Sequence, residues 1–190
     1  MKLDRDTLRD LVEERLPRSQ VRAIQSSYKD PDRFDQYVEL LQERVDWDER
    51  IVLPFGEHLY IVNAAGDQES PPGGAGSGRQ EPPAGGAGSG VRYVIKCDCG
   101  HEFCDYRENW KLEALINVRD SEDSLREIYP EKMSGDPEWN HLREYFCPGC
   151  RTLLEVEAVP PGYPVVFDFL PDLEGFYKDI LGRPLPSGGE

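Results

Sequence analysis

Four of the five cysteines stand in two close pairs, Cys97 with Cys99 and Cys147 with Cys150. A zinc ion takes four ligands at the corners of a tetrahedron, with thiolate sulfurs about 2.3 Å away. A tight turn can supply two of these sulfurs, and the glycines and the proline beside these cysteines are residues that favour tight turns. The four cysteines therefore predict one structural zinc ion that joins the two ends of segment 100–146.

Three other interpretations of these cysteines can be compared with the zinc site. They are unpaired thiols packed as small hydrophobic residues, a redox dithiol at Cys147 and Cys150, and a catalytic zinc ion. Chance rarely places four of five cysteines in pairs, and a dithiol leaves Cys97 and Cys99 unexplained. A catalytic zinc ion needs an open coordination position, which four thiolates do not leave. The structural site is the preferred interpretation, and the thiol and dithiol interpretations remain as alternatives.

His101 and the fifth cysteine, Cys104, follow the first pair closely. Either side chain could replace Cys99 as a zinc ligand, or could lie beside the ligands without contacting the ion. The four paired thiolates are the expected ligands, with Cys104 as a small buried residue. Exchange of one ligand for His101 or Cys104 stays open.

The elements that position these residues indicate an α+β fold. Residues 1–65 are predicted to form helices followed by a β-hairpin. Residues 66–90 contain no large apolar side chain and are rich in Gly, Pro and Ser, so they predict a flexible linker. Residues 91–190 are predicted to form a zinc-ribbon-like β domain with short helices and a C-terminal helix.

Helix signals are clearest at three places. Apolar residues at helical spacing end before Pro17, and a second such run follows Asp30, which precedes a proline. An apolar stripe predicts the last helix over residues 173–181, with Gly182 at its C-terminal end. Three shorter elements are also predicted, namely helices that begin after Ser121 and Asp136 and a strand over residues 112–118.

The charge balance excludes several classes of partner. The chain has 37 Asp and Glu against 22 Lys and Arg, a formal net charge of −15. Nucleic acids and anionic membranes are bound through clustered cations, which this sequence lacks. Neither a secretory signal nor a run of about 20 apolar residues is found, so we expect a cytoplasmic, reducing compartment. A protein partner with basic patches is the expected partner.

Motifs for catalysis are also missing from the sequence. It contains neither the glycine-rich phosphate loop nor the dinucleotide-binding glycine pattern, and no serine-hydrolase elbow. Three histidines, His58, His101 and His141, leave few general bases. We therefore expect that the chain alone is non-catalytic and serves as a zinc-containing structural or adaptor subunit.

Long sequence blocks resemble the gamma subunit of acetone carboxylase. The most specific block is residues 97–112, which reads Cys-Asp-Cys-Gly-His-Glu-Phe-Cys-Asp-Tyr-Arg-Glu-Asn-Trp-Lys-Leu. Residues 143–150 and 168–177 match in the same way, as do residues 34–44 and 51–62. The resemblance covers nearly the whole chain outside the predicted linker.

This resemblance implies a small zinc-containing subunit in a heterohexamer, with two copies each of an alpha, a beta and a gamma chain. Such a complex carboxylates acetone to acetoacetate with bicarbonate and ATP, without biotin, and a related complex carboxylates acetophenone. ATP and a divalent metal such as manganese would belong to the large alpha and beta subunits. The expected role of this chain is assembly, with Trp110, Trp139 and Tyr177 as packing anchors against the large subunits.

Two other functions remain as hypotheses. The chain could be a free-standing zinc-ribbon adaptor that mediates protein–protein contacts, although its acidic charge disfavours the transcription machinery as partner. Within a carboxylase, it could instead line a route for an activated carboxyl intermediate between active sites. Arg107 and Lys111 are the candidate residues for that route.

Overall fold

A computed structural model describes residues 2–65, 91–130, 133 and 135–187. Helices and antiparallel strands occur together, which confirms the α+β class. The α-helices in these residues are α1 (Arg5–Val12), α2 (Arg18–Gln25), α3 (Arg33–Gln42), α4 (Glu122–Arg126) and α5 (Leu173–Gly175). The strands are β1 (Ile51–Pro54), β2 (Leu59–Ala65), β3 (Val91–Cys97), β4 (Glu102–Asp105), β5 (Leu115–Arg119), β6 (His141–Phe146) and β7 (Leu153–Val159).

The first sheet has the antiparallel order β1-β2-β3-β4. The predicted hairpin is its β1–β2 pair, which confirms that element. β2 and β3 pair continuously from Leu59 opposite Cys97 to Ala65 opposite Val91. The predicted linker, residues 66–90, lies outside the described residues. The strands on either side of it are neighbours, so both predicted domains contribute to one sheet.

The second sheet has the antiparallel order β5-β6-β7. β5 begins three residues later than the predicted strand, because Trp110–Leu112 form a 3-10 turn. The side chain of Asn109 accepts a hydrogen bond from the Lys111 backbone N–H at 3.2 Å, which caps this turn. The turn lies between the two sheets in sequence and carries two of the buried side chains, those of Trp110 and Lys111.

One hydrophobic core joins both sheets to the C-terminal segment. Ile61 and Ile95 of the first sheet, Tyr145 of the second and Tyr177 near the C-terminus belong to the same buried cluster. The hydroxyl of Tyr177 donates a buried hydrogen bond to the carbonyl of Val52 at 2.8 Å. Buried polar groups are stable only when they are paired, so this bond fixes the C-terminal segment on β1.

The N-terminal helices differ from the prediction in two respects. The first helix, α1, ends at Val12 and so does not continue to Pro17, and Pro17 instead precedes α2, which was not predicted. Proline fits the start of a helix because its fixed φ is helical and the first turn needs no donor from it. Buried Leu8, Ile24 and Leu40 pack together, one from each of the three helices. No helix in the described part of the chain is long and apolar enough to cross a membrane.

Apart from the later start of β5, the short elements of the C-terminal half differ from the prediction at one place. Ser121 begins α4 with a capping box, as predicted. No helix follows Asp136, where residues 137–139 form only a turn, so that prediction is wrong. The last helix consists of α5 and a π-helical turn, Phe176–Ile180. Gly182 ends it with φ +66°, a conformation that glycine adopts without strain.

Candidate metal centre

Each cysteine pair lies on a turn that follows a strand. In the first turn, the Cys97 N–H donates to the His101 carbonyl at 2.9 Å and the Gly100 N–H donates to the Cys97 carbonyl at 2.8 Å. Gly100 has φ +90°, which explains why glycine follows the first pair. In the second turn, the Arg151 N–H donates to the Cys147 carbonyl at 2.9 Å. These backbone bonds fix the direction of each cysteine side chain.

The four sulfurs converge on one point between the turns. One sulfur from each of the four cysteines lies within 4.8 Å of the others. The Sγ atoms of Cys97 and Cys150 are 3.8 Å apart, and those of Cys99 and Cys147 are 3.7 Å apart. A tetrahedron with zinc–sulfur bonds of about 2.3 Å has edges of about 3.8 Å. A disulfide requires about 2.05 Å, so this spacing suits a metal ion and not a sulfur–sulfur bond.

Gly149 allows the two turns to approach each other. A Cβ atom built at this position would lie 3.2 Å from the Cys99 sulfur and 3.1 Å from the Cβ of His101, both in the first turn. Both distances are shorter than ordinary van der Waals contact, so a larger residue would push the turns apart. The glycine in the second pair is therefore required by the close approach of the first pair.

Hydrogen-bond donors and burial act in opposite directions on the thiols. Burial raises the pKa of Cys97 despite a hydrogen bond from the Cys99 backbone, and burial likewise raises the pKa of Cys99. At Cys150, burial is outweighed by the Thr152 hydroxyl and backbone N–H, which lower the pKa to about 6. Thiolates are the metal-binding form, and a divalent cation would stabilise the buried ones.

The centre is partly buried and connects the two sheets. Cys97 and Cys147 belong to the hydrophobic core and are fully buried, whereas Cys99 and Cys150 are exposed. One turn follows β3 of the first sheet and the other follows β6 of the second. An ion held by all four sulfurs would therefore cross-link the sheets and would keep no position for a substrate.

The structure does not bring His101 or Cys104 into the sulfur cluster. The His101 ring packs edge-on against Phe103, with ring centroids 4.9 Å apart. Cys104 lies on β4, and its sulfur approaches the carbonyl of Glu108. Burial raises the pKa of Cys104 to about 12, which keeps this thiol protonated at neutral pH.

The three expected interface anchors lie in different environments. Trp110 and Tyr177 are only 4% and 2% exposed because both belong to the hydrophobic core of this chain. Their side chains cannot reach a partner, so the expectation that they act as docking anchors does not fit the structure. Trp139 is 77% exposed and is the one of the three whose side chain is accessible.

The residues considered for an intermediate route are also engaged within the chain. The guanidinium of Arg107 binds the carboxylate of Asp105, with Nε 2.7 Å from Oδ1. Lys111 is 1% exposed, and a side chain that lines an open route would have to be accessible. The placement of these two side chains therefore gives no support to that hypothesis.

Lys111 forms the centre of an acidic cluster that sequence reasoning missed. Its Nζ donates to Glu155 at 2.7 Å and to Glu157 at 2.5 Å, and it also binds Asp168. The Tyr145 hydroxyl donates to the other oxygen of Glu157 at 2.6 Å. The alternation Glu155-x-Glu157 on a strand, which places both carboxylates on one face, was the signal available in the sequence.

The chain is similar to known subunits of ketone carboxylases. Residues 87–181 match the family model described as acetone carboxylase gamma subunit. The acetone carboxylase gamma subunit of Xanthobacter autotrophicus is 41% identical over 187 residues, which are 98% of each chain. The acetophenone carboxylase beta subunit of Aromatoleum aromaticum is 30% identical over 79 residues, 40% of this chain and 61% of that protein.

Two antiparallel sheets with a cluster of four cysteines between their turns define an α+β protein with a candidate metal centre. Within that class, the length and identity of the sequence matches assign the chain to one family. The chain belongs to the acetone carboxylase gamma subunit family. The resemblance predicted from the sequence blocks is thereby confirmed.

Proposed function

We propose that this chain is the small, zinc-binding assembly subunit of an ATP-dependent, biotin-independent ketone carboxylase that converts acetone and bicarbonate to acetoacetate. The observation that carries the proposal is the 41% identity to an acetone carboxylase gamma subunit along 98% of both chains. Similarity of this extent leaves no large part of the chain for an unrelated task. The chain itself is non-catalytic, and the chemistry belongs to its partners.

The zinc ligands in this proposal are Cys97, Cys99, Cys147 and Cys150. Their sulfur spacing of 3.7 and 3.8 Å across the two turns supports a tetrahedral ion. The ion is structural because the four thiolates fill its coordination shell. Structural zinc sites contribute on the order of 10 kcal/mol to the folding of small modules, and here that stabilisation would hold the two sheets together.

The partners in this proposal are the large alpha and beta carboxylase subunits, in a cytoplasmic heterohexamer with two copies of each chain. ATP and a divalent metal such as manganese bind to those large subunits. The net charge of −15 supports a protein partner with basic surface and disfavours nucleic acid and anionic membranes. Exposed Trp139 is the remaining anchor candidate for docking.

Purification of the tagged chain from its native host tests the assembly role. We expect two large subunits to co-purify in equal amounts with this chain, and the complex to carboxylate acetone when ATP and bicarbonate are supplied. Recovery of the chain alone, or with components of the transcription machinery, would contradict the carboxylase role and favour the free-standing adaptor. Elemental analysis of the purified chain should find one zinc per chain, and Cys147→Ser should lose it.

A further inference from the structure

A cavity of about 280 Å³ opens beside the Lys111 cluster. We call it the aromatic–acidic pocket, because its lining combines aromatic rings with two carboxylates. The aromatic part is formed by Phe55, Trp110, Phe167 and Phe169. The acidic part is formed by Glu155 and Asp168, two of the three carboxylates that bind Lys111.

The cluster beside the pocket holds more negative than positive charge. Lys111 supplies one ammonium to the three carboxylates of Glu155, Glu157 and Asp168. Glu157 is compensated further, because Tyr145 donates to it and Arg143 lies 3.9 Å away. The unbalanced charge therefore resides on the two carboxylates that line the pocket.

Each of those two carboxylates keeps one oxygen that receives no hydrogen bond from the described residues. Lys111 binds Oε1 of Glu155 and Oδ2 of Asp168. Among residues 2–65, 91–130, 133 and 135–187, no group donates a hydrogen bond to Glu155 Oε2 or Asp168 Oδ1. The Glu155 and Asp168 side chains are 36% and 48% exposed, so a ligand can reach them.

The aromatic walls restrict what this ligand can be. The rings of Phe55 and Phe169 are nearly parallel, with centroids 6.3 Å apart, and Phe169 is 60% exposed. A hydrated divalent cation prefers a shell of oxygens and gains little from such walls. An anion would be repelled by the carboxylates. A guanidinium fits both parts, because its faces stack on aromatic rings and its edges donate paired hydrogen bonds to carboxylates.

We propose that the aromatic–acidic pocket receives an arginine side chain from a large carboxylase subunit. This inference rests on the proposed function for the identity of the partner. Charge complementarity selects the ligand, because two carboxylate oxygens without a partner among the described residues lie at the edge of a cavity lined by aromatic rings. Arginine residues in such pockets are common anchors of protein–protein interfaces.

The first test measures association of the full-length chain with the purified large subunits. The variant Glu155→Gln/Asp168→Asn keeps the side-chain shapes and leaves oxygens for Lys111, but removes the charge. We expect binding about 10- to 100-fold weaker, with a smaller dependence on salt. The matched control is Glu122→Gln/Asp123→Asn on α4, which changes the net charge equally and does not line the pocket. Equal affinity of the pocket variant and the control would overturn the proposal.

The second test needs no partner and examines the pocket directly. The probe is N-acetyl-arginine amide, added to the full-length chain at concentrations on the order of 10 mM because one side chain binds weakly. We expect a saturable shift of the Trp110 indole N–H resonance that the pocket variant abolishes. N-acetyl-citrulline amide is the matched probe, with the same shape and no charge. No shift, or equal shifts with both probes, would overturn the arginine pocket.

The two tests distinguish a failure of the pocket proposal from a failure of the proposed function. A wild-type chain that binds neither large subunit but shows the arginine-specific shift would overturn the proposed function and the identity of the partner. A wild-type chain that binds both large subunits, without any effect of the pocket variant, would overturn the pocket alone.

Discussion

Replacing Lys111 by methionine removes the ammonium that binds Glu155, Glu157 and Asp168. Methionine keeps much of the side-chain volume, so the main change is electrostatic. One oxygen from each carboxylate then lies within 4.8 Å of the others without the ammonium between them. At an effective dielectric constant of 20, each such pair of charges repels by about 3 to 4 kcal/mol.

The net loss of unfolding free energy in Lys111→Met is smaller than the sum of these repulsions. Glu155 and Asp168 are more than one third exposed, so water screens them. The carboxylates can also take up protons. Removing one partner from a buried ion pair costs about 3 to 5 kcal/mol, and this exposure places the expected loss near the lower limit, about 3 kcal/mol at pH 8. That is a large part of the 5–15 kcal/mol by which domains are typically stable.

The folding stability lost in Lys111→Met depends on pH, and the sign of this dependence follows from the contacts of Lys111. Burial alone would lower the pKa of Lys111, but its hydrogen bonds to Asp168, Glu155 and Glu157 outweigh burial and raise it. A raised lysine pKa stabilises the fold at all pH values below the unfolded value of about 10.4, and this contribution disappears only as pH rises through the folded value. In Lys111→Met, the crowded carboxylates bind protons in mildly acidic solution. The variant should therefore regain part of its loss between pH 8 and pH 6.

Urea unfolding of the zinc-loaded wild type and variant, followed by tryptophan fluorescence at pH 8 and pH 6, measures the stability that Lys111→Met loses at each pH. Lys96→Met is the matched control, because Lys96 is also buried but, among the described residues, forms an ion pair with a single carboxylate, that of Glu49. We expect a smaller loss for the control, about 1 kcal/mol, with little change between the two pH values, because the one carboxylate left without its partner is 36% exposed and can be solvated. The charge-cluster reasoning would be refuted if both variants lost the same unfolding free energy. It would also be refuted if the difference between Lys111→Met and the wild type were no smaller at pH 6 than at pH 8.

Three further predictions concern the metal centre, the core and the surface. Cys104→Ser should retain one zinc per chain by elemental analysis and Cys147→Ser should lose it, whereas loss of zinc from both would place Cys104 in the centre. Tyr177→Phe should lower the free energy of unfolding in urea by about 1–3 kcal/mol, because the Val52 carbonyl loses its buried donor. An unchanged unfolding midpoint would mean that a water molecule replaces the hydroxyl. Trp139→Ala should change the unfolding free energy by less than about 0.5 kcal/mol, since the side chain is 77% exposed, and a larger loss would reveal packing within the chain.

The four-cysteine cluster was the feature most accessible from the sequence. A pair of cysteines on one tight turn constrains its own geometry, so local spacing alone indicated that Cys97 and Cys99 act together, as do Cys147 and Cys150. The order of helices and strands followed largely from periodicity and caps, as at Ser121. These signals act over a few residues, and they need no knowledge of the rest of the fold.

Features that depend on distant residues could not be predicted in this way. Lys111 is buried by partners that lie 44, 46 and 57 positions further along the chain. Trp110 and Tyr177 have side chains that suit a core or an interface equally well, and only the packing of both sheets decides between them. The missed α2 had a different cause, because Pro17 was interpreted only as a helix end and not also as a helix start.

Two positive centres would brace this small fold, namely Lys111 and the proposed zinc ion, and they differ in permanence. Lys111 ties the 3-10 turn to β7 and to Asp168 with a cation that is part of the polypeptide. The cysteine centre would tie the sheets with a cation that comes from solution. A chelator can remove only the second, so a metal-depleted chain should keep the Lys111 brace and part of its architecture. Cellular zinc supply would then control the rigidity of the cysteine turns, while the lysine preserves a framework to which the metal can return.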